Sequence, residues 1–84
     1  MNIDTVKEKA VSYAKEFKET GQIDIKFKKN EFSQEEWYLI VALAQVYYNL
    51  MVGVFTREKA KEEQKKAFNF VKENKSYFER LKNG

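Results

Sequence analysis

SQEEWYLIVALAQVYYNLMVGVFT, residues 33–56, is the stretch on which the fold turns. It opens on Ser33-Gln34-Glu35-Glu36, a capping box: the Ser33 side chain serves the amide three residues on, and Glu36 reaches back to the Ser33 amide. Phe32 before the cap and Trp37 as the fourth helical residue are placed to form a hydrophobic staple. Glu35 and Glu36 lie at the positive end of the helix dipole. Sixteen of the nineteen residues 37–55 are apolar, the exceptions being Gln45, Asn49 and Gly53. Gly53 reads as the C-terminal cap, with Val54 folding back on Tyr48. Thr56 reads as the N-cap of a further helix, with Phe55 before it and Ala60 at the stapling position. The stretch therefore predicts a helix over about 34–52 joined by a tight turn to an antiparallel neighbour. A helix apolar on nearly every side is central in its bundle or lies at an interface. Its least apolar row is Tyr38, Ala42, Gln45 and Asn49, at helical spacings of 4, 3 and 4.

The flanking segments supply partial covers. Upstream, Ile3, Val6, Ala10, Tyr13 and Phe17 lay one stripe along a helix over about 4–20, with Asp4 or Asn2 as N-cap and Gly21 just past its end. Downstream, Ala60, Gln64, Ala67, Val71, Asn74, Phe78 and Leu81 form a heptad seam on a single helix over about 57–81, widened by Phe70 and Tyr77. Small residues at the start of that seam allow close approach, and aromatics fill its far end. Glu58 with Lys61 and Glu62 with Lys66 are spaced as solvent-face ion pairs. Between the first two helices, Ile23, Asp24, Ile25, Lys26, Phe27 and Lys28 alternate as a half-buried strand does. No second strand is evident. The segment at about 22–29 is then either an extended connection laid on the helices or a strand paired with another chain. The expected architecture is one all-α domain over 1–84, a three-helix bundle with this extended or single-strand segment.

Composition closes many functions. The 84 residues include no Cys and no His, so thiol chemistry, imidazole catalysis and the usual zinc sites are absent. Ser12, Ser33 and Ser76 have no histidine partner, and Ser33 is engaged as a cap. The pairs Glu35–Glu36 and Glu62–Glu63 point about 100° apart on a helix and diverge rather than converge on one cation. Three glycines form no phosphate-cradling loop. The expectation is a non-enzyme without metal or cofactor. A membrane span over 37–55 is opposed by Gln45, Tyr47, Tyr48 and Asn49 at its middle and by the stop at Gly53. Met1-Asn2-Ile3-Asp4 does not open a signal peptide, which makes the cytoplasm the expected compartment.

Charge and aromatic content leave binding functions open. Lys and Arg number 16 against 13 Asp and Glu, a net charge of +3. Residues 57–84 hold nine basic and five acidic groups, so the excess lies there. Non-sequence-specific nucleic-acid binding would draw on Lys28, Lys29, Arg57, Lys61 and Lys65, although acids interrupt the run and only two of the 16 basic residues are Arg. Aromatics make up 15% of the chain, a fraction that favours contact with another chain. A homodimer is expected, meeting through Tyr38, Ala42, Gln45 and Asn49; Ile23, Ile25 and Phe27 add a strand from each copy if their segment pairs between chains, and the alternative is a monomer in which they cover the third side of the central helix.

The segment YYNLMVGVFTREKAKEEQKKAFNF, residues 47–70, resembles small proteins of phages and mobile elements of low-GC Gram-positive bacteria. In these an aromatic-rich helix ends in Gly, a hydrophobic residue and Thr or Ser follow, and a Lys/Glu-rich helix begins. Tyr47, Gly53, Phe55, Thr56, Arg57, Glu58, Ala60, Lys61 and Glu63 carry the likeness, which spans about a third of the chain and shares much with any good helical hairpin. The resemblance implies a phage or prophage accessory protein in the host cytoplasm that binds and modulates a host or phage protein, for example as a host-defence inhibitor. It assigns no functional residue.

Overall fold

A computed structural model describes residues 2–22 and 31–83 of the chain. The alternating segment and its Ile23, Ile25, Phe27, Lys28 and Lys29 lie outside the described residues, as does the Leu81 side chain. Four helices follow in order: α1 (Ile3–Thr20), α2 (Gln34–Met51), α3 (Arg57–Glu73) and α4 (Lys75–Asn83). Among the described residues there is no β-strand.

Each boundary has a local cause. Asn2, not Asp4, caps α1, its side chain accepting from the Thr5 amide at 3.2 Å. Gly21 closes that helix at φ 73°, its amide donating to the Phe17 carbonyl at 2.8 Å. At the head of α2 both halves of the capping box form: Glu36 N–H donates to Ser33 Oγ at 3.2 Å and Ser33 N–H to Glu36 Oε1 at 3.1 Å. The Phe32 and Trp37 rings stand 6.4 Å apart as the staple. The tail of α2 is a Schellman turn, with Gly53 at φ 80°, its N–H on the Leu50 carbonyl at 3.2 Å and the Val54 N–H on the Asn49 carbonyl at 2.9 Å. Val54 stays 69% exposed, so the backbone rather than its side chain closes the turn. Thr56 then caps α3, accepting from the Lys59 amide at 3.1 Å.

The expected single helix over 57–81 is divided at Asn74. Its side chain donates to the Phe70 carbonyl at 2.8 Å while its own amide holds the same carbonyl at 3.0 Å. With φ −107° and ψ 26°, Asn74 leaves the helical path and ends α3. Asn competes for backbone groups in this way, which is why it is a poor interior helix residue. The heptad seam nonetheless survives the break, since Ala60, Ala67, Val71 and Phe78 are all buried.

α2 is the centre of the domain. Leu39, Ile40 and Leu43 are fully buried, and Val6 and Ala10 of α1 join them from one side while Ala67 and Val71 of α3 join from the other. The α2–α3 pair is antiparallel: Tyr47 meets Gln64, and Tyr38, nine residues earlier, meets Phe70, six residues later. Contacts between α1 and α2 advance in the same sense along both helices, from Tyr13 with Trp37 to Phe17 with Tyr48. No α1 Cα comes within 8 Å of an α3 Cα among the described residues. Helices α1 and α3 are thus two covers on one central rod, and the body is a slab of 39 × 26 × 18 Å. Among the described residues, these two covers leave a side of α2 open.

Candidate interaction face

The open side carries the row read from the sequence. Gln45 is exposed, and Tyr38, Ala42 and Asn49 are half-buried. At about 100° per residue these four fall within a narrow arc of α2, turned away from the fully buried Ile40 and Leu43. They form one wall of a groove of about 330 Å³ whose other wall is α3, with Glu63, Lys66, Ala67 and Phe70, and whose end is Phe55. Ala42 and Ala67 keep the floor low, so the groove exists because the facing residues are small.

Tyr38 and Phe70 stack at 4.8 Å and close the groove at its other end. Beyond that ridge lies a second hollow of about 440 Å³, lined by Gln34, Trp37, Tyr38 and Val41 of α2, Phe70 of α3, and Tyr77 and Phe78 of α4. Phe78 is buried, packing on Tyr38 at 5.8 Å and on Tyr77 at 5.5 Å. Phe70 and Tyr77 remain 42% and 56% exposed. Sequence reasoning placed these two on the widened seam. Phe70 does widen the seam by stacking on Tyr38 while staying partly open, whereas Tyr77 extends the open face beyond α2, because the break at Asn74 sets it on a new helix.

The charged groups on the α3 wall of the groove are engaged with one another. Glu63 is bridged by Lys66 at 3.1 Å and Lys59 at 3.2 Å, and Lys59 also reaches Glu62 at 3.8 Å. Lys66 therefore goes to Glu63 and Glu62 to Lys59, where the spacing had suggested a Glu62–Lys66 pair. The hydrogen bonds from Lys66 and Lys59 hold the Glu63 carboxyl below its ordinary range, and Glu63 in turn raises Lys59. On the opposite edge of the α2–α3 contact, the Tyr47 hydroxyl accepts from Gln64 Nε2 at 3.4 Å, and burial raises its pKa above 10.0.

Other sequence candidates are placed as follows. Arg57, Lys61 and Lys65 are all exposed on α3. Glu35 and Glu36 stay at the head of α2, where Glu36 serves the cap. Among the described residues no three acidic, His or Cys side chains gather as a metal site, and no helix is long and apolar enough to cross a membrane. Comparison with known proteins finds no matching family model, no similar curated protein and no similar solved structure.

Proposed function

We propose that the chain is a non-enzymatic protein-interaction module that pairs with a second copy of itself through the open face of α2 and α3. One observation carries this reading: Tyr38, Ala42, Gln45 and Asn49 line a groove that no other described element fills, and exposed Phe70 and Tyr77 continue it. Three features favour a second copy as the occupant. The 4-3-4 spacing is that of a helix–helix seam. Gln45 and Asn49 each donate and accept, so across a two-fold axis each is able to bond its own counterpart. The α3 wall presents Glu63 and Lys66, one of each sign, so identical faces meet without net repulsion.

Gel filtration with light scattering tests the pairing. The expected mass is about 20 kDa at micromolar concentration, twice the 10.0 kDa of one chain. Ala42→Glu, which fills the groove with a charge, should return a helical monomer. A mass near 10 kDa throughout the micromolar range refutes the reading. The likeness of residues 47–70 to phage and mobile-element proteins supports a role as an accessory protein that modulates a host or phage protein. That part of the proposal fails if the coding sequence lies among housekeeping genes with no phage or mobile-element gene nearby.

A further inference from the structure

The basic residues of α3 divide into two populations. Lys59 and Lys66 are tied to Glu62 and Glu63 on the flank that borders the groove. Arg57, Lys61, Lys65 and Lys72 pair with no acid among the described residues, and all four are exposed. At about 100° per residue these four fall within an arc of about 80°, on the other side of the buried line Ala60, Ala67, Val71 from Phe70. Glu62, Glu63 and Glu73 project well outside that arc, and Glu58 borders it, about 20° beyond Lys65. Read as a linear sequence, the acids interrupt the basic run; wound into α3, all but Glu58 separate from it.

We infer that this flank of α3 is a nucleic-acid-binding surface that follows a phosphate backbone without reading bases. Arg57, Lys61 and Lys65 are spaced about 6 Å apart along the axis, and Arg57 to Lys72 spans about 22 Å. A line of point charges along one flank, in steps of about 6, 6 and 10 Å, suits a polymer that carries charge along its whole length, one phosphate per about 3.4 Å of each strand. An acidic protein surface has no such repeat. Three of the four cations are Lys, which binds phosphate as a point charge, whereas bidentate base readout favours Arg. Phe68, within the same arc, packs on the core and anchors the stripe to a rigid helix. The groove lies on the opposite flank, so neither surface obstructs the other.

Fluorescence anisotropy with a labelled DNA duplex and a labelled single strand, from roughly 20 to 300 mM salt, tests this. Two variants carry the same change in net charge, Lys61→Gln/Lys65→Gln on the stripe and Lys15→Gln/Lys18→Gln at exposed positions of α1, away from the groove, and circular dichroism verifies that both fold. The stripe variant should bind duplex at least tenfold more weakly at low salt, with the log–log salt slope shallower by about 2. The control variant should stay within about twofold of the parent. Equal losses in both variants would reduce the effect to net charge and overturn the assignment. Absence of binding at the lowest salt would overturn it as well. Poly-glutamate competing as well as DNA at equal charge would overturn the nucleic-acid reading in favour of an acidic protein partner.

Discussion

Replacing Gly53 by alanine of either hand tests the turn that creates the groove. Gly53 sits at φ 80°, and a Cβ built there meets no atom within 4 Å. Any cost of Gly53→Ala is therefore conformational, with no clash to confuse it. An L-residue in the left-handed region costs about 1–2 kcal/mol. Loss of glycine's freedom in the unfolded chain returns about 0.4–1 kcal/mol. The net loss should be near 1 kcal/mol, a fall in Tm of about 4–8 °C for a domain of this size. Gly53→Val should lose more, because a β-branched residue is a true outlier at this φ. D-alanine at position 53, introduced by chemical synthesis, keeps the favoured φ and the smaller unfolded ensemble, so the sign reverses to a gain of about 0.4–1 kcal/mol. Thermal melts followed by circular dichroism read all three. Equal melting of the L- and D-alanine proteins would refute the Schellman turn and with it the placement of α3 against α2.

Four further outcomes follow from the same geometry. Ser33→Ala should cost about 0.5–2 kcal/mol in denaturant unfolding, and Glu36→Ala less, since the first removes the acceptor for a helix amide. Asn74→Ala removes the second donor on the Phe70 carbonyl, so the carbon chemical shifts at residue 74 should become helical, joining α3 to α4, and the Tyr38–Phe78 ring contact should weaken; unaltered shifts would place the cause of the break elsewhere. Tyr47 is raised by burial, which favours the neutral phenol in the fold. Its contribution is complete below 10.0 and is lost as pH rises through the raised value, so ultraviolet titration should show late phenol ionisation that Tyr47→Phe reduces. Glu63 is lowered, so its contribution holds above the ordinary carboxylate pKa and disappears as pH falls through the lowered value. NMR titration should find Glu63 among the most acidic glutamates, and high salt should return it toward normal because the lysine pairs are screened.

What the sequence disclosed was local. Ser33 with Glu36, Gly21, Gly53 and Thr56 each satisfy backbone groups within a few residues, and that chemistry is independent of the rest of the fold. The seam Ala60, Ala67, Val71, Phe78 and the stripe Val6, Ala10, Tyr13 were readable for the same reason: helical periodicity alone decides which side is buried. Asn74 was misread because its position fits the heptad, while its side chain competes for the Phe70 carbonyl, a choice that spacing does not encode. The partition of lysines around Glu63 was also hidden. Glu62 and Glu63 both have lysines within one turn, and only the rotamers select among them. Tyr77 looked like part of a broader seam because periodicity does not tell how far a neighbouring helix reaches. The row Tyr38, Ala42, Gln45, Asn49 was identifiable as the least apolar side of α2, and its exposure follows because, among the described residues, α1 and α3 cover other sides of α2 and α4 reaches only its Tyr38 end.

That the backbones of α1 and α3 both approach α2 closely and, among the described residues, do not approach each other has a bearing on cooperativity. In a closed bundle, losing any helix exposes surface on all the others, and unfolding is all-or-none. Here α3 and α4 can detach while the α1–α2 pair keeps its packing, and the reverse holds for α1. Among the described residues, stability in one half is communicated to the other chiefly through α2. Native-state hydrogen exchange should therefore resolve tiers, with the α2 amides around Leu39–Leu43 opening last and α3–α4 opening as a separate unit. A partner seated against α2 and α3 would bind the joint between those units. Its effect would be felt less as a change of shape than as a fusion of two independently opening halves into one.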